Sequence, residues 1–436
     1  MPSNRVVVVG TTADYIHLIE RRLPGRALFL TDQAERARAC EPEPDDASEV
    51  LADLAIREDA LAVLRAHLHW HDIVPTGVAC FDDESMALAA AVARMLSLPY
   101  VGADAVPVCR SKHESKRRWR QAGLPCPRAE LVRSEAEALA FQRTLGRAVV
   151  LKPLTGSGSE LTFICRGEGE CRTAFRQLRD RLCGHRDARM YAAQGDADGG
   201  LDPHEVFVAE EFVEGDEYSC DFLVHGDEVA VVRVAAKIPA ARHSFGTTMA
   251  YVVPAELPAP IERSGFHRQL LRAARAVGID RSVCMLDFIV RDGEALMLEI
   301  APRPGGDCLP ALIRHSSGVD MLELTLDYAE GRAIALPPAE QWQPCVGLRL
   351  IASQPGRIRC IDTRALEADP HAREVHLKHG RGHCVVLPPH DYDSRILGHV
   401  ILDPQGIRDL PTACAELAAR LSVQMEPLSC PVLTVC

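Results

Sequence analysis

Three kinds of side chain in this sequence sit where they could do chemistry. In VVLKPLTGSGSEL (149–161), Lys152 ends an apolar run and is followed at once by a small Gly/Ser loop. Glycines let backbone N–H groups approach an anion closely, and a lysine supplies a point charge, so the combination suits a phosphate. It is not a Walker loop, because no Gly-Lys-Ser/Thr follows the glycines, and Gly156-Ser157-Gly158 does not fit Gly-x-Ser-x-Gly. In CMLDFIVRDGEALMLEIAPRPGGD (284–307), Asp287 and Glu299 lie on the two strands of a hairpin signalled by Asp292-Gly293. Apolar neighbours flank both acids, and burying them is unfavourable unless a cation or donors compensate. Magnesium prefers oxygen ligands and commonly takes one or two carboxylates plus substrate phosphates. Arg303 sits on a Pro-flanked turn, which aims its fork rigidly at a carboxylate or phosphoryl oxygen. Gly305-Gly306 could add backbone donors beside it.

Register decides whether the two acids can cooperate. A two-residue turn at Asp292-Gly293 would set Asp287 opposite Leu298 and send Glu299 to the other face. A three-residue loop with left-handed Gly293 would pair Asp287 with Met297, leaving Glu299 as a diagonal neighbour on the same face. The odd loop is therefore the expectation.

The elements around these groups alternate. RVVVVG (5–10) reads as a buried parallel strand, and GVACFDDESMALAAAVARMLSLPYVG (77–102) as a strand, an acidic helix start, an Ala-rich helix and a Pro/Gly exit. Together they predict an α/β unit over residues 1–107. EPEPDD (41–46) is a solvated loop. A helical segment from Ser111 stops at AGLPCP (122–127), and its run Lys116-Arg117-Arg118 is expected to face solvent. A further helix falls near 171–183, GDADGG (195–200) reads as a mobile polar insertion, and FVAEEFVEGDEYSCDFLV (207–224) as two strands meeting near Gly215. After Pro337-Pro338 the pattern changes to short strands, turns and a helix over 410–422, which suggests a small third module.

Composition closes off other classes. The 436 residues allow two or three domains, and a formal net charge of −12 argues against a general nucleic-acid binder. No apolar run is long enough to span a membrane, and the N-terminus reads as a core strand rather than a signal peptide, so a cytoplasmic location is expected. The 16 cysteines include no CxxC, which favours reduced thiols. HLHWHD (67–72) and HLKHGRGHC (376–384) have alternating histidines that would share a strand face, yet no partner cluster has zinc spacing.

KPLTGSGS, AEEFVEGDEYSCDF and LDFIVRDGEALMLEIAPRPGG, preceded by SKHESKRRWRQAGLPCP, resemble the ordered motifs of ATP-grasp enzymes over about residues 77–335. The nearest likeness is to carboxylate–amine ligases that join amino acids into dipeptides. That resemblance implies three parts: a Rossmann-like α/β N-terminal domain (1–107), an α+β ATP-grasp domain (108–336) with a lid subdomain at about 125–210, and a small C-terminal α+β module (337–436). It implies ATP and Mg2+, or Mn2+, as cofactors, with small carboxylate and amine substrates. Lys112 and Lys152 match the phosphate-binding lysines, and Ser157 and Ser159 a covering loop. Glu211 and Val213, flanking Phe212, match the backbone groups that hold adenine, with Glu210 near its amino edge and Glu217 on the ribose hydroxyls. Asp287 and Glu299 match the metal ligands, and Arg303 the arginine that steadies the acyl phosphate. Residues 236–250 are a candidate flap, with Lys237 on the γ-phosphate. The family usually reads Glu-x-Asn-Pro-Arg, whereas this chain has Ala301, which cannot coordinate. The family often forms homodimers, so a second copy is a candidate partner. A bicarbonate-using carboxylase and a non-catalytic nucleotide binder are the alternatives.

Overall fold

The computed structural model describes residues 3–184, 189–192 and 200–427, so all of GDADGG but Gly200 lies outside the described residues. The N-terminal part runs β1 (Ser3–Val9), α1 (Ala13–Arg22), β2 (Ala27–Asp32), α2 (Gln33–Arg36), β3 (Glu49–Ala52), α3 (Arg57–Trp70), β4 (Ile73–Ala79) and α4 (Met86–Leu96). Its strands form a parallel sheet in the order β3-β2-β1-β4. The valine run of β1 is apolar throughout because both faces are covered. Val6 and Val8 meet Ile16 and Ile19 of α1, while Val7 and Val9 meet Leu64 of α3 and Met86 of α4. The histidines of HLHWHD thus lie on and just beyond a helix, not on a strand; tertiary cover of Ala60, Leu64 and Leu68 overrides the alternating pattern.

Helices α5 (Ala105–Arg110) and α6 (Glu114–Gln121) lead into a second unit of β5 (Ala129–Val132), α7 (Glu135–Leu145), β6 (Val149–Pro153), β7 (Phe163–Cys165), α8 (Glu168–Leu182) and β8 (Phe207–Glu211). This antiparallel sheet, ordered β5-β8-β6-β7, has its own core. The strand period of two sorts its side chains: Val149, Leu151, Phe207 and Ala209 pack under α7 and α8, and Val150, Lys152 and Glu210 turn to the opposite face.

The third unit is one eight-stranded antiparallel sheet. It contains β9 (Asp216–His225), β10 (Glu228–Pro239), β11 (Thr248–Val253), α9 (Arg263–Ala276), β12 (Arg281–Arg291), β13 (Glu294–Ala301), α10 (Leu309–Ser317) and α11 (Met321–Ala329). The chain then adds β14 (Cys345–Ile351), β15 (Gly356–Asp362), α12 (Arg364–Glu367), β16 (Ala372–Leu377), β17 (Cys384–Val385), β18 (Ile396–Leu402), α13 (Leu410–Ala418) and β19 (Ser422–Glu426). The sheet order is β13-β12-β9-β10-β11-β14-β18-β16, so the residues after 337 extend the central sheet. Only β17-β15-β19 stand apart as a small sheet. Leu286, Phe288 and Val290 of β12 pack with Phe266 and Leu270 of α9, which leaves Met285, Asp287 and Ile289 on the other face, over a cavity.

Candidate active site

The hairpin departs from the expected odd loop. Arg291 pairs with Glu294 across a two-residue turn, and Asp292 and Gly293 both have positive φ, 53° and 76°. That is the twist a right-handed strand pair prefers, and Asp-Gly supplies it. The register is repaired further along. A bulge lies between Asp287 and Phe288, so that Phe288 pairs with Met297 while Asp287 pairs directly with Glu299, leaving Leu298 as the extra residue. The two acids therefore oppose each other, as the chemistry needs, through a device that the alternation of apolar residues does not reveal.

All thirteen residues singled out from the sequence line one cavity of about 590 Å³. On the wall formed by β6 and β8, the Lys152 ammonium lies 2.8 Å from Glu210 Oε1, and Lys112 Nζ donates to the Gly156 carbonyl of the Gly/Ser loop. Burial draws the Lys112 pKa down, and Glu299 across the cavity opposes that effect. On the facing wall, Lys237 Nζ bridges Glu217 Oε1 and Asp287 Oδ2, both at 2.6 Å. Desolvation works against that charge, but Asp287 and Glu217 outweigh it and raise the Lys237 pKa well above its ordinary value.

Two features differ from the expected roles. The Glu210 carboxylate points inward, between Lys152 and Lys116, rather than along an open edge. Lys116, expected in solvent, is 1% exposed, while Arg117 and Arg118 do face outward and bond Glu114. The helix period explains the split, because Lys116 shares the inner face of α6 with the buried Trp119. Glu211 turns its side chain toward Arg147 at 3.1 Å, and Val213 is buried. Phe212 meets Phe245 of the 236–250 segment edge-on, with centroids 6.0 Å apart. Ser159 Oγ donates to the Gly246 carbonyl at 3.0 Å, so the Gly/Ser loop and that segment touch across the cavity mouth, whereas Ser157 is exposed.

Arg303 is held by a partner that the sequence did not suggest. Asp83, just beyond β4, accepts from Nε at 2.8 Å and from Nη2 at 2.5 Å, a two-pronged contact over 220 positions. Burial alone would raise the Asp83 pKa; Arg303 more than reverses this and lowers it. Its neighbour Glu84 is pushed up to about 8, by burial first and Asp82 second. Gly305 is not free to act as a donor to a ligand, because its N–H goes to Asp221 Oδ1 at 2.8 Å, and Asp221 is in turn paired with buried Arg233. The acidic DDE after a strand was legible only as a helix start. Its position at the carboxyl end of a parallel strand, where α/β sheets bind ligands, is the signal that could have found it.

The far end of the cavity is formed by the C-terminal strands. Arg349 contacts Asp307 at 2.5 Å, Lys378 contacts Asp393 at 3.1 Å, and the rings of His376 and His399 lie 5.0 Å apart. Among the described residues no group of three or more His, Cys, Asp or Glu has the geometry of a metal site, and the described cysteines are free thiols. No described helix is long and apolar enough to cross a membrane.

The donor set nevertheless fits a hard divalent cation that also draws ligands from a bound phosphate. Asp287 Oδ1 is buried without a hydrogen-bond partner, Glu299 opposes it, and an ammonium already sits between Asp287 and Glu217. Ala301 lines the same cavity with a methyl group, so of the hairpin's carboxylates only Asp287 and Glu299 reach the cavity.

Residues 145–311 match the family model of the ATP-grasp domain. The chain is 31% identical over 263 residues to a D-alanine–D-alanine ligase of Acidovorax ebreus, spanning 55% of this chain and 71% of that protein. A second such ligase, from Delftia acidovorans, is 29% identical over 57% of this chain and 72% of its own length. Among solved structures, an L-amino acid ligase from Bacillus licheniformis superposes with a TM-score of 0.75 at 19% identity, covering 98% of this chain and 100% of that one. A biotin carboxylase from Campylobacter jejuni, solved with a β,γ-ATP complex, gives 0.65 at 16% identity over 98% and 92%.

Proposed function

The chain belongs to the ATP-grasp superfamily of carboxylate–amine ligases, and from that premise we propose that it joins a small carboxylic acid to an amine, with an amino acid as one substrate. The γ-phosphoryl group of ATP passes to the carboxylate, giving an acyl phosphate and ADP. The amine then attacks the acyl carbon, forming an amide and releasing phosphate. The observation that carries this reading is the single cavity with Lys112 and Lys152 on one wall and Asp287 and Glu299 on the other.

In this reading the lysines hold phosphate oxygens, where positioning and charge do most of the work of phosphoryl transfer. Backbone groups of Glu211 and Val213, beside Phe212, receive the adenine, and Glu217 the ribose. Asp287 and Glu299 would hold magnesium or manganese, which supplies charge neutralisation at the phosphates. Lys237 exchanges its two carboxylates for the γ-phosphate when nucleotide and metal arrive. Arg303, aimed by Asp83, steadies the acyl phosphate. Ser157 and Ser159, with the 236–250 segment, keep water from that intermediate. For this reading the chain divides at 107/108, the lid covers about 125–210, and the residues from 337 on continue the central sheet and do not form a separate domain. A second copy of the chain as partner and a cytoplasmic setting belong to the same proposal.

The test is ADP release screened over pairs of amino acids and small acids, with mass spectrometry of the product. An amide formed in step with ADP supports the reading. ADP release that needs bicarbonate and no amine would replace it with a carboxylase, and tight ATP binding without turnover on any pair would replace it with a nucleotide sensor.

A further inference from the structure

Lys116 lies just behind the cavity wall and does not line it, yet it is among the largest fully buried side chains of the protein. A buried ammonium has three N–H donors and needs three acceptors. It donates to two backbone carbonyls and makes an ion pair with one carboxylate, on three separate pieces of the site. The first is Glu210 Oε2 of β8 at 2.8 Å, the second the Leu298 carbonyl at the hairpin bulge at 2.5 Å, and the third the Lys112 carbonyl at 3.3 Å.

Each acceptor leads to a different functional group. Glu210 takes Lys152 on its other oxygen, also at 2.8 Å, so one carboxylate stands between a rear ammonium and a front one. One negative charge cannot neutralise two positive ones, and Lys116 supplies the rear share, which leaves Lys152 electrostatically available to an anion in the cavity. Leu298 is the extra residue of the bulge that brings Asp287 opposite Glu299. A bulge frees a carbonyl from the ladder, and a buried free carbonyl needs a donor. Lys112 is itself one of the cavity cations, and its N–H is fixed to the Leu154 carbonyl at the end of the strand carrying Lys152.

We propose that Lys116 is a positioning residue that ties the phosphate-binding lysines to the two-carboxylate hairpin, setting the distance between the anion-binding and cation-binding walls of the site. This rests on the ligase reading for what the two walls hold, but its test reads binding rather than turnover. It joins the four-stranded sheet to the edge of the eight-stranded one through a single charged group.

The experiment measures the dissociation constant of ADP with and without Mg2+ by titration calorimetry, in wild type, Lys116→Met and Lys116→Met/Glu210→Gln. Methionine keeps the length and removes all three donors. The expected result for Lys116→Met is a tenfold or greater loss of ADP affinity and loss of most of the enhancement that Mg2+ gives. The single variant leaves Glu210 and Lys152 as a balanced one-to-one pair, so its buried charges still cancel, whereas the double variant leaves Lys152 without a counter-charge and open to an anion. The double variant should regain part of the ADP affinity while keeping the weakened Mg2+ enhancement, because the Leu298 carbonyl still lacks its donor. A lower melting temperature with unchanged ADP affinity and Mg2+ enhancement in the folded variant would make Lys116 merely structural and overturn the proposal. Wild-type Mg2+ enhancement in the double variant would overturn it too. A wild type that binds no ADP would sink the ligase reading and this inference together, whereas wild type and variant binding alike would sink the inference alone.

Discussion

Lys237→Met removes the ammonium that bridges Asp287 and Glu217. Both contacts are 2.6 Å long and the lysine side chain is 8% exposed. Stripping one member from a buried ion pair costs about 3–5 kcal/mol, because the other charge is left uncompensated. Glu217 is 39% exposed and can turn to water, so its share is screened to roughly 0–1 kcal/mol. The cost therefore falls on Asp287, whose other oxygen already lacks a partner, and about 3 kcal/mol is the expected loss. At about 2–4 °C per kcal/mol for units of 150–250 residues, the melting temperature in chelator should fall by roughly 6–12 °C. Magnesium has the opposite sign in the variant. With the ammonium gone, the carboxylates are open to a metal, and a ligand at ten times its dissociation constant returns about 1.4 kcal/mol. Thermal unfolding in EDTA and in Mg2+, for both proteins and without nucleotide, reads the two effects. The variant should be destabilised in EDTA and gain more from Mg2+ than the wild type does. A variant as stable as wild type in EDTA, or equal Mg2+ shifts in both, would refute the reasoning.

Lys152→Ala removes a charged contact worth about 1.5–3 kcal/mol, so steady-state ADP release should show kcat/KM down by roughly ten- to a hundredfold or more. At Gly246, where φ is +80°, an added Cβ would come 2.9 Å from Ser159. Gly246→Ala should part the loop from the flap and let water reach the acyl phosphate, so that measuring both products gives more ADP than amide; strict equality would contradict the closure role. The Glu84 carboxyl, raised to about 8 from 4.5, keeps its proton in the folded state over a range where the unfolded chain releases it. Its contribution thus makes stability fall as pH rises from about 4.5 to about 8. Glu84→Gln should flatten that decline and be the more stable protein at pH 8; parallel melting curves against pH for the two proteins would exclude it.

How much of this was legible in the chain depended on the range of the interaction. Lys152, Asp287, Glu299 and Arg303 stood out because polar types in apolar or Pro-bounded settings need a reason to be there. The four-residue run of β1 and the Asp-Gly turn are local signals, and both appear as elements. The partners of those groups were hidden by distance. Asp83 is 220 positions from Arg303, and Lys116 is 182 from the Leu298 carbonyl. The bulge escaped because Leu296, Met297, Leu298 and Ile300 are apolar on both faces, so no alternation marks the slipped residue. Lys116 reads as part of an exposed basic run until packing assigns the inner face of α6. The strand order of the central sheet is likewise a long-range fact: nothing near residue 345 says that β14 will lie against β11.

That last pairing constrains how such a protein can be re-engineered or can diversify. Four register pairs join β11 to β14, from Ala250 with Leu348 to Val253 with Cys345, and β14 with the segments beyond it supplies Arg349, Lys378 and His399 to the far end of the cavity. Swapping the C-terminal hundred residues for those of a relative would break a continuous backbone seam rather than exchange a cassette. New substrate preferences are therefore more accessible by point replacement along that wall than by shuffling whole segments.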